Sequence, residues 1–404
     1  MHCRLWLRSK FGILSAYSRP LVYFDSAASA QKPWFVNEVF KHVSFRLWAN
    51  LGKSGYFLAS KLCRKLVEAR RQIARLVAAD DAYDCVFYKS VTEALNAMCC
   101  GTCSVRGKLK AVLCVSEHHS SLAPWLARGP AVALEVLELD EDYVPSVRAY
   151  LRLVGYYPRF VLVLAHSSNV LSCLVPVKLY TNVCSSHRAI SIVDGAQAVP
   201  HFTVSVQQLG CTVYLLASHK LYSAAGVGVC VGLRTFLNAI RPTILGGGAV
   251  NNISLDPPHY SLLSSPWRHE AGSAAPFAPI CLSEVWRWRR RAGELSELKL
   301  VRYLWASVLG LRLTHAELVI VNRLYPSTRM LSFVLRTVPA AALGLLLNKL
   351  FVCVRVGAHC AEPLIRYMKS SGVCRASLGV YNSYKDIDVL VLALQYVCEL
   401  SQTV

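Results

Sequence analysis

Short runs of Val, Leu and Ile that stop abruptly at small or polar residues recur through the first part of the chain, at 111–115, 135–139, 160–165, 189–193, 212–217 and 227–231. Continuous apolar runs of this length are the pattern of strands buried on both faces, as in parallel sheets. Helical patterns lie between some of them, at 60–78 and 92–99. Strand and helix in alternation predict a doubly wound α/β domain. Beyond Gly272 the texture changes to helical stretches at 281–308 and 339–347, with apolar segments at 330–335 and 351–356, which predict a smaller α+β domain. The Gly/Pro/Ser-rich stretch 246–279 reads as the connection. The expected division is an N-terminal arm at 1–20, a large domain at 21–272 and a small C-terminal domain at 273–404.

Composition narrows the class. A chain of 404 residues with 54% hydrophobic residues has ample material for a core, since a globular chain of this size hides roughly three quarters of its unfolded surface. The mean hydropathy of +0.36 raises the question of a membrane. The longest apolar stretch, 338–356, is broken by Asn348, Lys349 and Arg355, short of the roughly 18 residues a span needs. Arg8 and Lys10 interrupt the N-terminal apolar patches, so no signal-peptide core is expected, and the reading is a cytoplasmic protein that is not inserted in a membrane. The net charge of +20 is scattered, and its one dense run, WRWRRR at 286–291, reads as a solvated helix face with no nucleic-acid partner. Sixteen cysteines without a secretory signal suggest buried thiols in a reducing compartment. Cys100 and Cys103 form a lone CxxC with no second pair, so no metal is expected.

Ligands of open α/β sheets bind beyond the carboxyl ends of the strands, and the residues just after the apolar runs are unusually polar. The run 111–115 leads into Ser116, Glu117, His118 and His119; 160–165 leads into His166 and Asn169; 189–193 leads into Asp194 and Gln197; 212–217 leads into Ser218, His219 and Lys220. A lysine after one strand and a carboxylate at the end of a neighbour are what pyridoxal phosphate needs: an amine for its aldehyde, and an acid that keeps the pyridine nitrogen protonated. His118 suits the ring face, Gln197 and Asn169 its phenolate side, and Ser218, His219 and the amides near Thr92 its phosphate. A nucleotide site is disfavoured, because neither GxGxxG nor GxxxxGK[ST] occurs.

These residues sit in segments that resemble the class V aminotransferase family, and most closely its SufS-type cysteine desulfurases, relatives of the selenocysteine lyases. The segments are YFDSAASAQKP at Tyr23, SVTEALN at Ser90, EHHSSLAPW at Glu117, HSSNVLS at His166, VDGAQAVPH at Val193, SHKLY at Ser218, LGGG at Leu245, PWRHEAGS at Pro266, RVGAHCAEPL at Arg355 and CRASLGVYN at Cys374, in family order. The resemblance implies a fold-type-I pyridoxal-phosphate enzyme, with a mostly parallel seven-stranded sheet in the large domain and a smaller α+β domain at the C-terminus. It implies that Lys220 binds the cofactor covalently, Asp194 pairs with its pyridinium, Gln197 contacts its phenolic oxygen and His118 stacks on its ring. His219 and Thr92 would hold the phosphate, with Ser273 reaching in from the second subunit of a homodimer. Asn169 and Arg375 would hold the substrate carboxylate. Cys360 would be the nucleophile that takes sulfur from L-cysteine, leaves L-alanine, and passes a persulfide to a SufE- or SufU-like acceptor for iron–sulfur cluster assembly. A selenocysteine lyase, and a binding protein that kept the fold but lost turnover, are the alternatives. Four places depart from the family pattern: 50–55 lacks a histidine, and Ala217, Ala358 and the stretch 223–225 replace a serine, a histidine and a Gly-Pro-Thr.

Overall fold

The computed structural model of the chain describes residues 6–51, 55–105, 109–156, 159–292, 297–311, 317–321 and 328–400. The departure from the family pattern at 50–55 therefore lies partly outside the described residues, as do the first five residues of the arm.

The main sheet has seven strands in the spatial order Tyr83–Tyr88, Gly228–Leu233, Val213–Ala217, Ile190–Asp194, Phe160–Ala165, Leu109–Cys114 and Val132–Leu137. Only Gly228–Leu233 runs against its neighbours; the other six share one direction. This is the mostly parallel seven-stranded sheet that the resemblance implies. The central strands are apolar throughout because both faces are covered. In Phe160–Ala165, residues Phe160, Leu162 and Leu164 enter one core while Val161 and Val163 enter the other, the two-residue alternation of a strand. Helix Phe57–Leu76 covers one side by burying Ala59, Leu62, Leu66, Ala69 and Ile73 on one stripe.

A second sheet is wholly antiparallel, in the order Leu318–Ile320, Met330–Leu335, Val373–Ser377 and Arg355–Gly357. Helices Glu297–Leu309, Ala340–Lys349 and Tyr384–Leu400 pack with it around a separate core. Val22 and Phe24 belong to that core, and Val22–Tyr23 pairs in parallel with Val352–Cys353. Sequence alone divides the chain at 272/273. In the structure, however, helix Phe277–Ala292 sends Ala278 and Leu282, Cys281 and Val285, and Ile280 into three cores on the large-sheet side.

Three local expectations are corrected. The stretch 246–279 contains an antiparallel hairpin, Val250–Leu255 with Pro258–Leu262, whose positions are nearly all solvent-facing. Strands this exposed need no apolar alternation, so the pattern does not mark them. The helical stretch 281–308 is two helices, Phe277–Ala292 and Glu297–Leu309. Within 286–291 the described side chains are half-buried, except the exposed Arg290. Arg287 pairs with Glu68 and Glu284, Trp288 lies 5.4 Å from the Phe35 ring, and the Arg289 guanidinium lies 5.6 Å from the Tyr222 ring. Among the described residues, every cysteine is a free thiol, no group of residues is arranged to hold a metal, and no helix is long and apolar enough to cross a membrane.

Candidate active site

The carboxyl ends of the parallel strands open on one cavity of about 430 Å³. Lys220 enters it from the turn Ser218–Lys220 that directly follows the strand Val213–Ala217. The Ser218 hydroxyl donates to the carbonyls of Ala224 (2.6 Å) and Val227 (2.9 Å), so it fixes this turn and does not line the cavity. Burial lowers the Lys220 amine to about 8, and the charge of Asp194 opposes that shift. The Asp194 carboxyl is pushed up by burial and held down by Lys220 and by the Ala196 N–H, which donates to it at 2.9 Å. Gly195 follows because nothing larger fits: a Cβ there would lie 2.2 Å from the Tyr214 ring.

His118 caps helix His119–Leu126, and its Nδ1 accepts from the Ser120 N–H at 3.1 Å. In the neutral ring the proton is therefore on Nε2. Burial, with Lys220 as the next cause, lowers His118 to about 4, so the imidazole that faces the cavity is uncharged. Thr92 lies in the first turn of helix Val91–Val105, its hydroxyl 2.8 Å from that of Ser120. Lys89, Ser90 and Val91 line the cavity beside it, where the helix N-terminus makes a ready anion site, although the Lys89 N–H itself is taken by the Glu93 carboxylate. Gly228 lets this turn approach: a Cβ would fall 2.1 Å from the Ser90 carbonyl carbon. His219 lines the same wall and is lowered to about 4, chiefly by burial. The Gln197 amide donates to the Ala27 carbonyl at 2.9 Å and leaves its Oε1 buried without a partner.

Across the cavity, Arg375 is 2% exposed at its side chain. Its Nη1 donates to the Asn169 carbonyl at 2.9 Å, its Nη2 pairs with Asp25 at 3.1 Å, and its Nε is buried without a partner. The Asn169 side chain donates to the His359 carbonyl at 2.7 Å. Cys360 is next in sequence and half-buried; His359 lines the cavity, Cys360 does not. Ser273 is exposed and lies outside the cavity of its own chain.

Sequence reasoning misses two members of this site. Asp25 holds Arg375 from 350 residues away, and its one signal in the sequence is a carboxylate inside the YFDSAAS segment. Arg355, noted as the first residue of the RVGAHCAEPL segment, lines the cavity and pairs in register with Arg375 on the adjacent strand. Antiparallel pairing of 351–356 with the CRAS segment would have exposed it.

The donor set fits a phosphorylated pyridine aldehyde. A depressed amine stands beside a buried carboxylate, a glutamine that lines the cavity leaves its amide oxygen without a partner, and a helix N-terminus is seated against a glycine. Together with the mostly parallel sheet, these features define a pyridoxal-phosphate-dependent enzyme of fold type I. The chain matches the profile "Aminotransferase class-V" over residues 22–390 and belongs to that family; its cofactor is pyridoxal 5'-phosphate. It is 32% identical over 398 residues to a cysteine desulfurase of Pectobacterium carotovorum subsp. carotovorum (strain PC1), covering 96% of each chain. A Yersinia pestis (strain Pestoides F) cysteine desulfurase is 31% identical, covering 96% of this chain and 97% of its own. Among solved structures, the cysteine desulfurase CsdA of Escherichia coli superposes with a TM-score of 0.87 at 28% identity over 98% of both chains. The apo cysteine desulfurase of Thermococcus onnurineus NA1 gives 0.90 at 25% identity, again over 98% of both.

Proposed function

We propose that this enzyme is a cysteine desulfurase that converts L-cysteine to L-alanine and keeps the sulfur as a persulfide on Cys360. One observation carries the reading: Asn169 ties the buried guanidinium of Arg375 to the segment bearing Cys360. A carboxylate anchor and a thiol are thus linked across a cavity that Lys220 enters. Pyridoxal phosphate, when bound, supplies an electron sink conjugated to the substrate Cα. Asp194, Gln197, His118, Thr92 and His219 are the residues we assign to holding it, with Ser273 serving the partner subunit.

Arg375 and Asn169 orient the substrate carboxylate, a pairing a guanidinium fork suits. Lys220, with its amine lowered to about 8, is the base for the Cα proton. The Cys360 thiolate attacks the substrate sulfur, the S–Cβ bond breaks, and Cβ takes a proton. Alanine and a protein persulfide account for every atom of cysteine and thiol. A homodimer is favoured by a row of exposed aromatics near the helices Phe35–Arg46 and Phe57–Leu76: Phe45 is 82% exposed, Phe57 67% and Trp48 58%. Delivery to a SufE- or SufU-like acceptor in the cytoplasm, for iron–sulfur cluster assembly, completes the reading. We draw the division between the two units after helix Phe277–Ala292, which packs on the large-sheet side.

Cys360→Ser is the test. The variant should keep the visible absorption of the bound cofactor and lose alanine formation from L-cysteine, because a hydroxyl is a poor nucleophile toward sulfur. Alanine release at the wild-type rate would overturn the assignment and favour a lyase that forms no protein persulfide.

A further inference from the structure

The segment carrying Cys360 is held from both flanks. On one side the Asn169 amide donates to the His359 carbonyl at 2.7 Å, and His359 Nε2 donates to the Val373 carbonyl at 3.0 Å. On the other side the His119 N–H donates to the Cys360 carbonyl at 2.8 Å. The His119 ring then reaches further along the same segment, where its Nε2 contacts the Glu362 carboxylate and lies 3.4 Å from the Glu362 N–H. Between these anchors His359 and Cys360 adopt φ of +54° and +56°. Two successive side-chain-bearing residues in the left-handed region are unfavourable, and such a conformation persists only where its surroundings over-determine it.

We propose that His119 and Glu362 form a clasp that sets where the Cys360 sulfur stands, both as positioning residues that do not touch the substrate. The proposal rests on the desulfurase reading, and it concerns a different histidine from the one facing the cofactor. His119 and Glu362 side chains are 43% and 49% exposed, and a polar contact this open adds little to overall stability. Its consequence is local. With the clasp closed, the left-handed pair keeps Cys360 beside the cavity wall formed by His359. With it open, the pair relaxes and the sulfur moves away from the substrate and toward solvent.

The experiment uses the full-length, cofactor-loaded protein with His119→Ala, Glu362→Ala, His119→Gln and Glu362→Gln. Cys360 alkylation by iodoacetamide is followed by peptide mass, and alanine formation is followed in a single turnover. The alanine variants should alkylate several-fold faster and form alanine roughly ten- to a hundredfold more slowly, the usual cost of a displaced reacting atom. The cofactor absorption, and its change on adding L-cysteine, should match wild type. Each glutamine variant keeps one hydrogen bond across the clasp and should restore both rates. Wild-type alkylation and turnover in both alanine variants, or slow turnover that glutamine does not rescue, would overturn the clasp. Turnover that does not require Cys360 at all overturns the desulfurase reading instead.

Discussion

Lys220 and Asp194 are each ill at ease alone. Burial disfavours the charged form of both groups, and each relieves the other. A lysine lowered to about 8 has an appreciable neutral fraction near physiological pH, as an amine that must condense with an aldehyde requires. Lys220→Ala should therefore abolish covalent cofactor binding and cut activity by at least about a thousandfold, within the range for a lost nucleophile and base. Borohydride reduction of the wild type followed by peptide mapping checks this, and label on another lysine sinks the assignment. Residues of this kind are legible in the amino-acid sequence, because a strand end followed at once by a polar side chain announces itself. Asp25 and Arg355 are not, since what makes them part of the site is a partner brought in by tertiary pairing.

At the scale of elements, the anion site depends on a close approach between a strand and a turn. A Cβ on residue 228 cannot coexist with the Ser90 backbone as placed. Gly228→Ala must therefore push the start of helix Val91–Val105 away, at a cost of about 1–3 kcal/mol for overpacking, and displace the N–H groups that face the cavity. The expected result is a cofactor dissociation constant raised about tenfold or more, read by spectral titration. Gly155→Ala in helix Val147–Tyr156 is the control: its Cβ meets nothing within 4 Å, and alanine should stabilise the helix by up to ~1 kcal/mol. Unchanged affinity in Gly228→Ala would show that the turn yields without consequence. The buried strands are legible in the sequence for the same reason that they pack well: Phe160–Ala165 is apolar at every position because both of its faces are covered. Tyr83–Tyr88 escapes notice, since an edge strand carrying Asp84 lacks a continuous run. The hairpin Val250–Leu255 with Pro258–Leu262 escapes because it has no buried face to mark it.

The molecule as a whole carries many imidazoles that folding keeps neutral. His118, His166, His219 and His359 are each lowered to about 4, with burial the first cause in every case. In the unfolded chain they titrate near 6.5. Between about 6.5 and 4 the unfolded state thus binds protons that the folded state refuses, so stability is fully present above that window and is lost as pH falls through it. Glu117 works in the opposite sense. Burial raises it to about 8, so the folded state holds a proton that the unfolded chain releases, and falling pH favours folding through that group. Asp25 and Asp194, raised by burial from the ordinary aspartate range, act in the same sense as Glu117. His201 and His269 are lowered too, chiefly by burial, and six such imidazoles against three raised carboxyls leave a net loss on acidification. Of the four rings lowered to about 4, His166 and His359, only 8% and 4% exposed, contribute most, while the two half-buried rings are partly screened. The +20 net charge adds self-repulsion in the same direction as protons accumulate. Thermal melts of the same preparation at pH 7.5, 6.0 and 5.0 should show a midpoint that falls between each pair, with a combined loss of a few kcal/mol by the lowest pH. His166→Gln should flatten that fall, because its amide offers the Tyr214 hydroxyl, 2.8 Å from Nδ1 in the wild type, a partner that does not titrate. A midpoint that stays level to pH 5.0 would mean that the rings reach water and that the neutral, buried picture of this site is wrong.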